Sequence, residues 1–225
     1  MFSLQRMIDD IGRKRQERRF ASTSGNRQIE AIEHVFGLDI DKLKKTFVEG
    51  GIPAMPGDLP AYIALRDLGD IGVTAFLVRQ TIEVTQLQSY IMTIRDGRDE
   101  TDWQHNSQGD LHTLVRHDRE FAGLNMQLLT NDVALIRRLA SPGFNPPCPW
   151  VAFHELGPTV GSLQGNAEYW YHHIWDPYWE ALSLDDQSEF LERKRRETVA
   201  ADMSEGEWLQ WVDGLRFRDP RTRSS

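Results

Sequence analysis

Apolar positions in this chain recur most often at steps of three and four. Val73, Leu77, Val84, Leu87, Ile91 and Ile94 follow that spacing, with Gln80 in the one missing slot. A stripe of this kind marks one face of a helix, and its length predicts a central helix over 71–95. Thr74, Thr81, Thr85 and Thr93 raise strand propensity there, but a sustained period outweighs propensity. A glutamine on a buried stripe needs hydrogen-bond partners.

A second helical pattern covers 111–140, with Leu114, Val115, Phe121, Ala122, Leu128, Leu129, Leu135 and Ile136 as its apolar members. Thr130-Asn131-Asp132 breaks it, Asn131 being able to cap a fresh helix, and Ser141-Pro142-Gly143 ends it. Upstream, Ile29, Ile32, Val35 and Phe36 predict a short helix stopped by Gly37, and Asp39 opens another that carries Ile40, Leu43 and Phe47. The stretches 50–57 and 96–110 read as loops, the first for its three glycines and two prolines, the second for its polarity. Residues 141–166 hold five prolines and four glycines and predict a long loop, with Trp150–Phe153 the one extended piece. The last third is helical: Asn166 caps a segment to Trp175, Asp176-Pro177 restarts it, Ser183 caps the next helix, and Ser204-Glu205-Gly206-Glu207 is a capping box for the last.

The expected fold is therefore all-α: a compact multi-helix array around 71–95, with a Pro/Gly-rich loop at 141–166. Residues 1–24 read as a basic amphipathic helix and linker, 25–215 as a single helical domain, and 216–225 as a polar tail.

Composition narrows the function classes. In 225 residues, 40% apolar and 27% charged is an ordinary globular balance. The net charge of −8 disfavours nucleic-acid binding by the whole protein. Charge is uneven: residues 1–28 carry seven basic and three acidic side chains, a local +4 that leaves −12 for the rest. The single cysteine, Cys148, forms no intramolecular disulfide. No apolar run reaches the roughly 18 residues of a membrane span, and Asp9 and Asp10 interrupt any secretory core, so a cytoplasmic location is expected.

Candidate chemistry concentrates between 168 and 180, which holds three of the seven tryptophans and three of the five tyrosines. Trp170, Tyr171, Trp175, Asp176, Tyr178, Trp179 and Glu180 form a candidate binding surface, because aromatic rings beside acids suit recognition of a basic partner. The competing reading of the same rings is an aromatic core wedge. His112, His117, His154, Glu168 and His172 form a candidate ligand set for one divalent metal ion, with Glu168 and His172 at helical i, i+4 spacing. Cys148 sits in Asn145-Pro-Pro-Cys-Pro-Trp150, where prolines withhold the N–H donors that activate a thiolate, so a buried loop cysteine is expected. Arg193-Lys194-Arg195-Arg196 spreads around a helix as solvated charge. Phosphate-loop, dinucleotide, zincin, serine-elbow and paired C-x-x-C motifs are absent.

The function these features favour is an acidic protein-binding or inhibitor-type protein without a cofactor, for example an immunity or antitoxin protein that masks a basic protein partner. The alternatives are a metal-dependent hydrolase or oxygenase, and a structural subunit of a larger assembly docked through the basic N-terminal segment.

Overall fold

The structure is a computed structural model and describes residues 25–48, 57, 59–102, 104–158, 163–199 and 203–222. The basic segment expected at 1–24 lies outside them, as does most of the 50–57 loop.

The chain is mixed α and β, not all-α. Helix α1 spans 25–36 and α2 Ile40–Thr46. Strands β1 (Ala64–Asp67) and β2 (Phe76–Glu83) precede helix α3 (Leu87–Arg95). Strands β3 (Asp99–Asp102), β4 (His105–Gln108), β5 (Leu111–Glu120) and β6 (Gly123–Thr130) follow, then helix α4 (Val133–Leu139). The C-terminal part is helical: α5 (Pro149–Ala152), α6 (Gly165–Trp170), a π turn (Tyr171–Trp175), α7 (Asp176–Ala181), α8 (Leu184–Val199) and α9 (Glu205–Arg218). The six strands form one sheet in the order β1-β2-β6-β5-β4-β3, every pair antiparallel.

The sheet overturns three expectations. The helix expected over 71–95 is a strand to Glu83, a single 3-10 turn, and a helix only from Leu87. The register explains why the stripe misleads. Leu77, Leu129 and Leu114 lie in one row across β2, β6 and β5 and pack under Ile32, Phe36, Leu43 and Phe47 of α1 and α2. Phe76, Val78 and Ile82 point to the opposite face, where Leu124, Met126 and Leu128 join them beneath Tyr90 and Ile94 of α3 and Leu135, Ile136 and Leu139 of α4. Where β2 is buried on both faces, at Phe76–Val78, it has no alternation of apolar and polar residues to display, and the alternation from Arg79 to Glu83 is too short to offset the apolar stripe. Gln80 finds partners there: its amide donates to the Phe144 carbonyl and its oxygen accepts from the Tyr90 hydroxyl.

The long helix expected over 111–140 is the β5–β6 hairpin followed by α4; β6 is buried along almost its whole length and β5 only at Thr113–Val115, so neither shows a regular alternation. The loop expected over 96–110 holds β3 and β4, polar strands at the sheet edge. The extended piece expected at Trp150–Phe153 is instead the helical turn α5, with Pro149 in its first turn, where a missing N–H costs nothing.

Most local stop and start signals act as the sequence predicts. Asn166 does not cap, since α6 begins at Gly165 behind Gln164. Asp176 lies inside a run continuous from the π turn, its carboxylate accepting from Arg218 instead of capping. Gly37 ends α1 at φ 66°, and the Asp39 carboxylate accepts from the Lys42 N–H at 2.8 Å to cap α2. The Ser183 hydroxyl accepts from the Asp186 N–H, and the Ser204 hydroxyl from the Glu207 N–H. The fresh helix after Thr130 also forms, but Asp132 caps it, accepting from the Leu135 N–H, while Asn131 ties β6 to His112 and Asp110. The tail expected from 216 begins inside α9, and Asp219 and Arg221 bind back onto Gln187, Trp179 and Leu182.

Candidate functional site

The aromatic window folds inward. Trp170, Tyr171, Trp175, Tyr178 and Trp179 are all buried, joined by Phe153, Phe190, Trp208 and Trp211 in one aromatic core. Trp175 stacks on Trp170 at 5.7 Å between ring centroids and on Trp179 at 5.7 Å. Trp175 follows Trp170 by five positions, a spacing that an α-helix splays apart and the intervening π turn brings into register. Pro177, which cannot donate to the preceding turn, follows that widened turn closely. The two acids stay at the surface. Asp176 is held by Arg218 at 2.7 Å and lies 3.7 Å from the His172 imidazole; Glu180 is exposed. In this fold the rings stabilise the C-terminal helices and, of the seven residues, the acids face outward.

The metal set does not assemble. His112, on β5, meets His105 at 3.2 Å. His117 is exposed further along β5, His154 is exposed after α5, and Glu168 and His172 are exposed on α6 and the π turn. Among the described residues no three His, Cys, Asp or Glu side chains are placed to hold a metal ion.

What the fold does bring together is a charged cluster beneath a cleft of about 480 Å³. Glu83, the last residue of β2, accepts from Lys194 of α8 through both oxygens, at 2.8 and 3.0 Å. Its Oε1 also accepts from the Asn145 amide at 2.9 Å and from the Cys148 thiol at 3.8 Å. Lys194 donates a third bond to Glu197 at 2.9 Å, one turn along α8. Gln86 braces the loop side, accepting from the Asn145 N–H and donating to the Asn145 side chain. Val84, Trp150, Val151 and Met203 give the cleft apolar walls, and His154 and Glu207 stand at it too.

Neither nucleophile in the cleft is in its reactive form. Burial pushes the Cys148 thiol well above its ordinary range; Glu83 and Glu197 add to the shift and Lys194 only partly opposes it. A protonated thiol is a poor nucleophile. Burial also works against the charge on Lys194, but its hydrogen bonds to the Glu83 and Glu197 carboxylates favour the charged form, and its pKa is raised. The cleft sets charged groups beside an apolar wall.

The Asn145–Cys148 segment crosses the sheet at Gly123. A Cβ on Gly123 would lie 2.6 Å from the Pro147 ring and 2.7 Å from the Ile82 carbonyl, so no larger residue fits there. On the far side of this crossing is a second groove of about 350 Å³, lined by Pro146, Arg79, Thr81, Glu120, Asn125 and the exposed side of the π turn. Between the clefts the β5–β6 turn, Phe121-Ala122, holds both residues at positive φ (46° and 60°), a conformation non-glycine residues adopt at a cost.

Sequence reading missed Glu83, Asn145 and Lys194 as a unit because Lys194 lies 111 positions beyond Glu83. The one local signal was the proline run around Cys148, which marked a segment that must cross the surface without ladder bonds. Among the described residues no helix is long and apolar enough to cross a membrane. No protein-family model, no curated protein and no solved structure matches this chain.

Proposed function

We propose that this chain is a binding protein of the inhibitor type, and that it takes a basic side chain of a protein partner into the cleft above Glu83 and Lys194. The observation that carries this reading is the charge of that cleft. Three carboxylates, Glu83, Glu197 and Glu207, line it with one ammonium, Lys194, which Glu83 and Glu197 hold, and apolar walls rise beside them. Lys194 consumes Glu83 and one oxygen of Glu197, which leaves carboxylate capacity at Glu197 and Glu207. A lysine or arginine of the partner lays its stem on Val84 and Val151 and its head on these acids. The net charge of −8 steers such a partner toward the surface before contact. An immunity or antitoxin protein with a basic target is one concrete form of this reading, and it is assigned to the cytoplasm.

The test is native mass spectrometry of the protein purified gently from its own host, alongside the E197Q/E207Q variant. A stoichiometric basic partner, retained at least about tenfold less by the variant, supports the reading; tenfold corresponds to about 1.4 kcal/mol. A bare chain, or a partner held equally by the variant, overturns it. A chain carrying one metal ion per molecule overturns it in favour of a metal-dependent enzyme.

A further inference from the structure

The second groove, beyond the Pro146-Pro147 crossing, is chemically different from the cleft. Its floor is the open face of the sheet. Arg79 and Thr81 of β2, Asn125 of β6 and Glu120 of β5 line it, and the register sets their spacing: Arg79 is paired with Gln127, Thr81 with Asn125, and Glu120 with Gly123. Among the described residues none of these four side chains makes a hydrogen bond or an ion pair within the protein. The walls are different: Tyr169 and His173 stand at one side, their rings 4.8 Å apart, presented by α6 and the π turn.

Arg79 and Glu120 oppose each other in sign without touching. Their rows are four residues apart along the strands, about 13 Å at about 3.3 Å per residue, a span that two long side chains shorten but leave open. Burial raises the Glu120 pKa, Asp118 adds to the shift, and Arg79 opposes it, so the two charges sense one another across the groove. Thr81 and Asn125 lie between the two ends with donors and acceptors to spare.

We propose that this groove binds a small zwitterion whose two charges are held apart, the class of short peptides and ω-amino acids. The carboxylate end lies on the Arg79 guanidinium, which offers a planar fork of donors. The ammonium end lies on the Glu120 carboxylate, and Asn125 and Thr81 take the polar atoms between. The groove's own lining holds one guanidinium, Arg79, and one carboxylate, Glu120, with Asp118 beside the latter, so a ligand with one charge of each sign meets a partner at each end. The site is independent of the acidic cleft, and its test does not depend on the partner proposed there.

The experiment is isothermal titration calorimetry of the full chain with glycylglycine, N-acetylglycylglycine and glycylglycinamide. The first probe carries both charges and each of the others carries one. Saturable binding of glycylglycine, weakened at least about tenfold (about 1.4 kcal/mol) by blocking either end, is the expected result. R79Q should abolish the advantage of the free carboxylate and E120Q that of the free ammonium. Equal binding of a blocked peptide overturns the proposal, and so does the absence of saturable heat. The blocked probes act on the unaltered chain, so they decide the question even where a variant fails to fold.

Discussion

Lys194 shows what a single side chain does when a fold surrounds it. In sequence it is the second of four consecutive basic residues and reads as solvated. In the structure its side chain is 6% exposed and holds Glu83, which is 19% exposed. Removing one member of a buried ion pair leaves the other as an uncompensated charge, which typically costs about 3–5 kcal/mol, whereas replacing both with apolar groups is far cheaper. K194M should therefore lose about that much stability in urea unfolding, and K194M/E83L should regain most of it. A K194M loss below about 1 kcal/mol, the size of an exposed pair, would place the interaction at the surface instead. The position was hidden because the buried face of α8 mixes characters: Gln187, Phe190, Leu191, Lys194 and Thr198 share it at helical spacing. A search for apolar periodicity finds two of those five.

At the scale of elements, the β5–β6 hairpin explains most of the difference between expected and observed fold. Two-residue hairpins ordinarily announce themselves through asparagine or glycine at positive φ. Phe121-Ala122 offers neither, and Leu124, Met126, Leu128 and Leu129 are good helix formers as well as strand residues here. The Phe121 ring contacts Phe153 and Tyr169, so tertiary packing offsets the strain of the turn. Ala122 is only partly buried and its methyl group offers little such compensation. A122G should raise stability by about 1 kcal/mol, the left-handed penalty relieved less the extra freedom of the unfolded chain. Denaturant midpoints of the two chains check this, and a lower midpoint for A122G would show that the turn is not strained. The π turn is the second such element: it stacks Trp170 on Trp175 through one inserted residue, and its local mark is Pro177 just beyond it, which signals an interruption but not its form.

At the scale of the whole molecule, the end of the chain closes the C-terminal helices. Asp219 is buried and accepts from Arg221 and Gln187, bonds that bridge α9 to the start of α8. The Arg221 hydrogen bond, helped by Gln187 and opposed by burial, lowers the Asp219 pKa from 3.8 to about 2. The folded pKa lies below the unfolded one, so the folded state favours the ionised carboxylate. The resulting stabilisation is complete above about pH 5, falls away as the pH drops through the folded value, and amounts to about 2 kcal/mol at most. D219N should flatten the decline in thermal stability between about pH 5 and about pH 2. A wild-type decline that D219N leaves unchanged would assign acid sensitivity to other carboxylates.

Sequence alone determined the short-range features. Asp39, Ser183 and Ser204 cap helices through atoms a few residues away, and Gly37 ends α1 because only glycine enters that conformation freely. The helical C-terminal third was legible for the same reason, whereas the loop expected over 141–166 is irregular at 141–148 but holds helical turns at Pro149–Ala152 and His154–Leu156 and the start of α6 at Gly165. Three things were decided only by tertiary structure. β6 is buried along almost its whole length and β2 over Phe76–Val78, so apolar residues there show no period of two, while β5 is buried only at Thr113–Val115 and offers too short an apolar run to display one; all three read as helix. The aromatic window reads equally well as surface or core until α8 and α9 pack over it. The groups at the two clefts come from strands, a crossing loop and a helix far apart in the chain, and convergence of that kind leaves no spacing for a sequence to display.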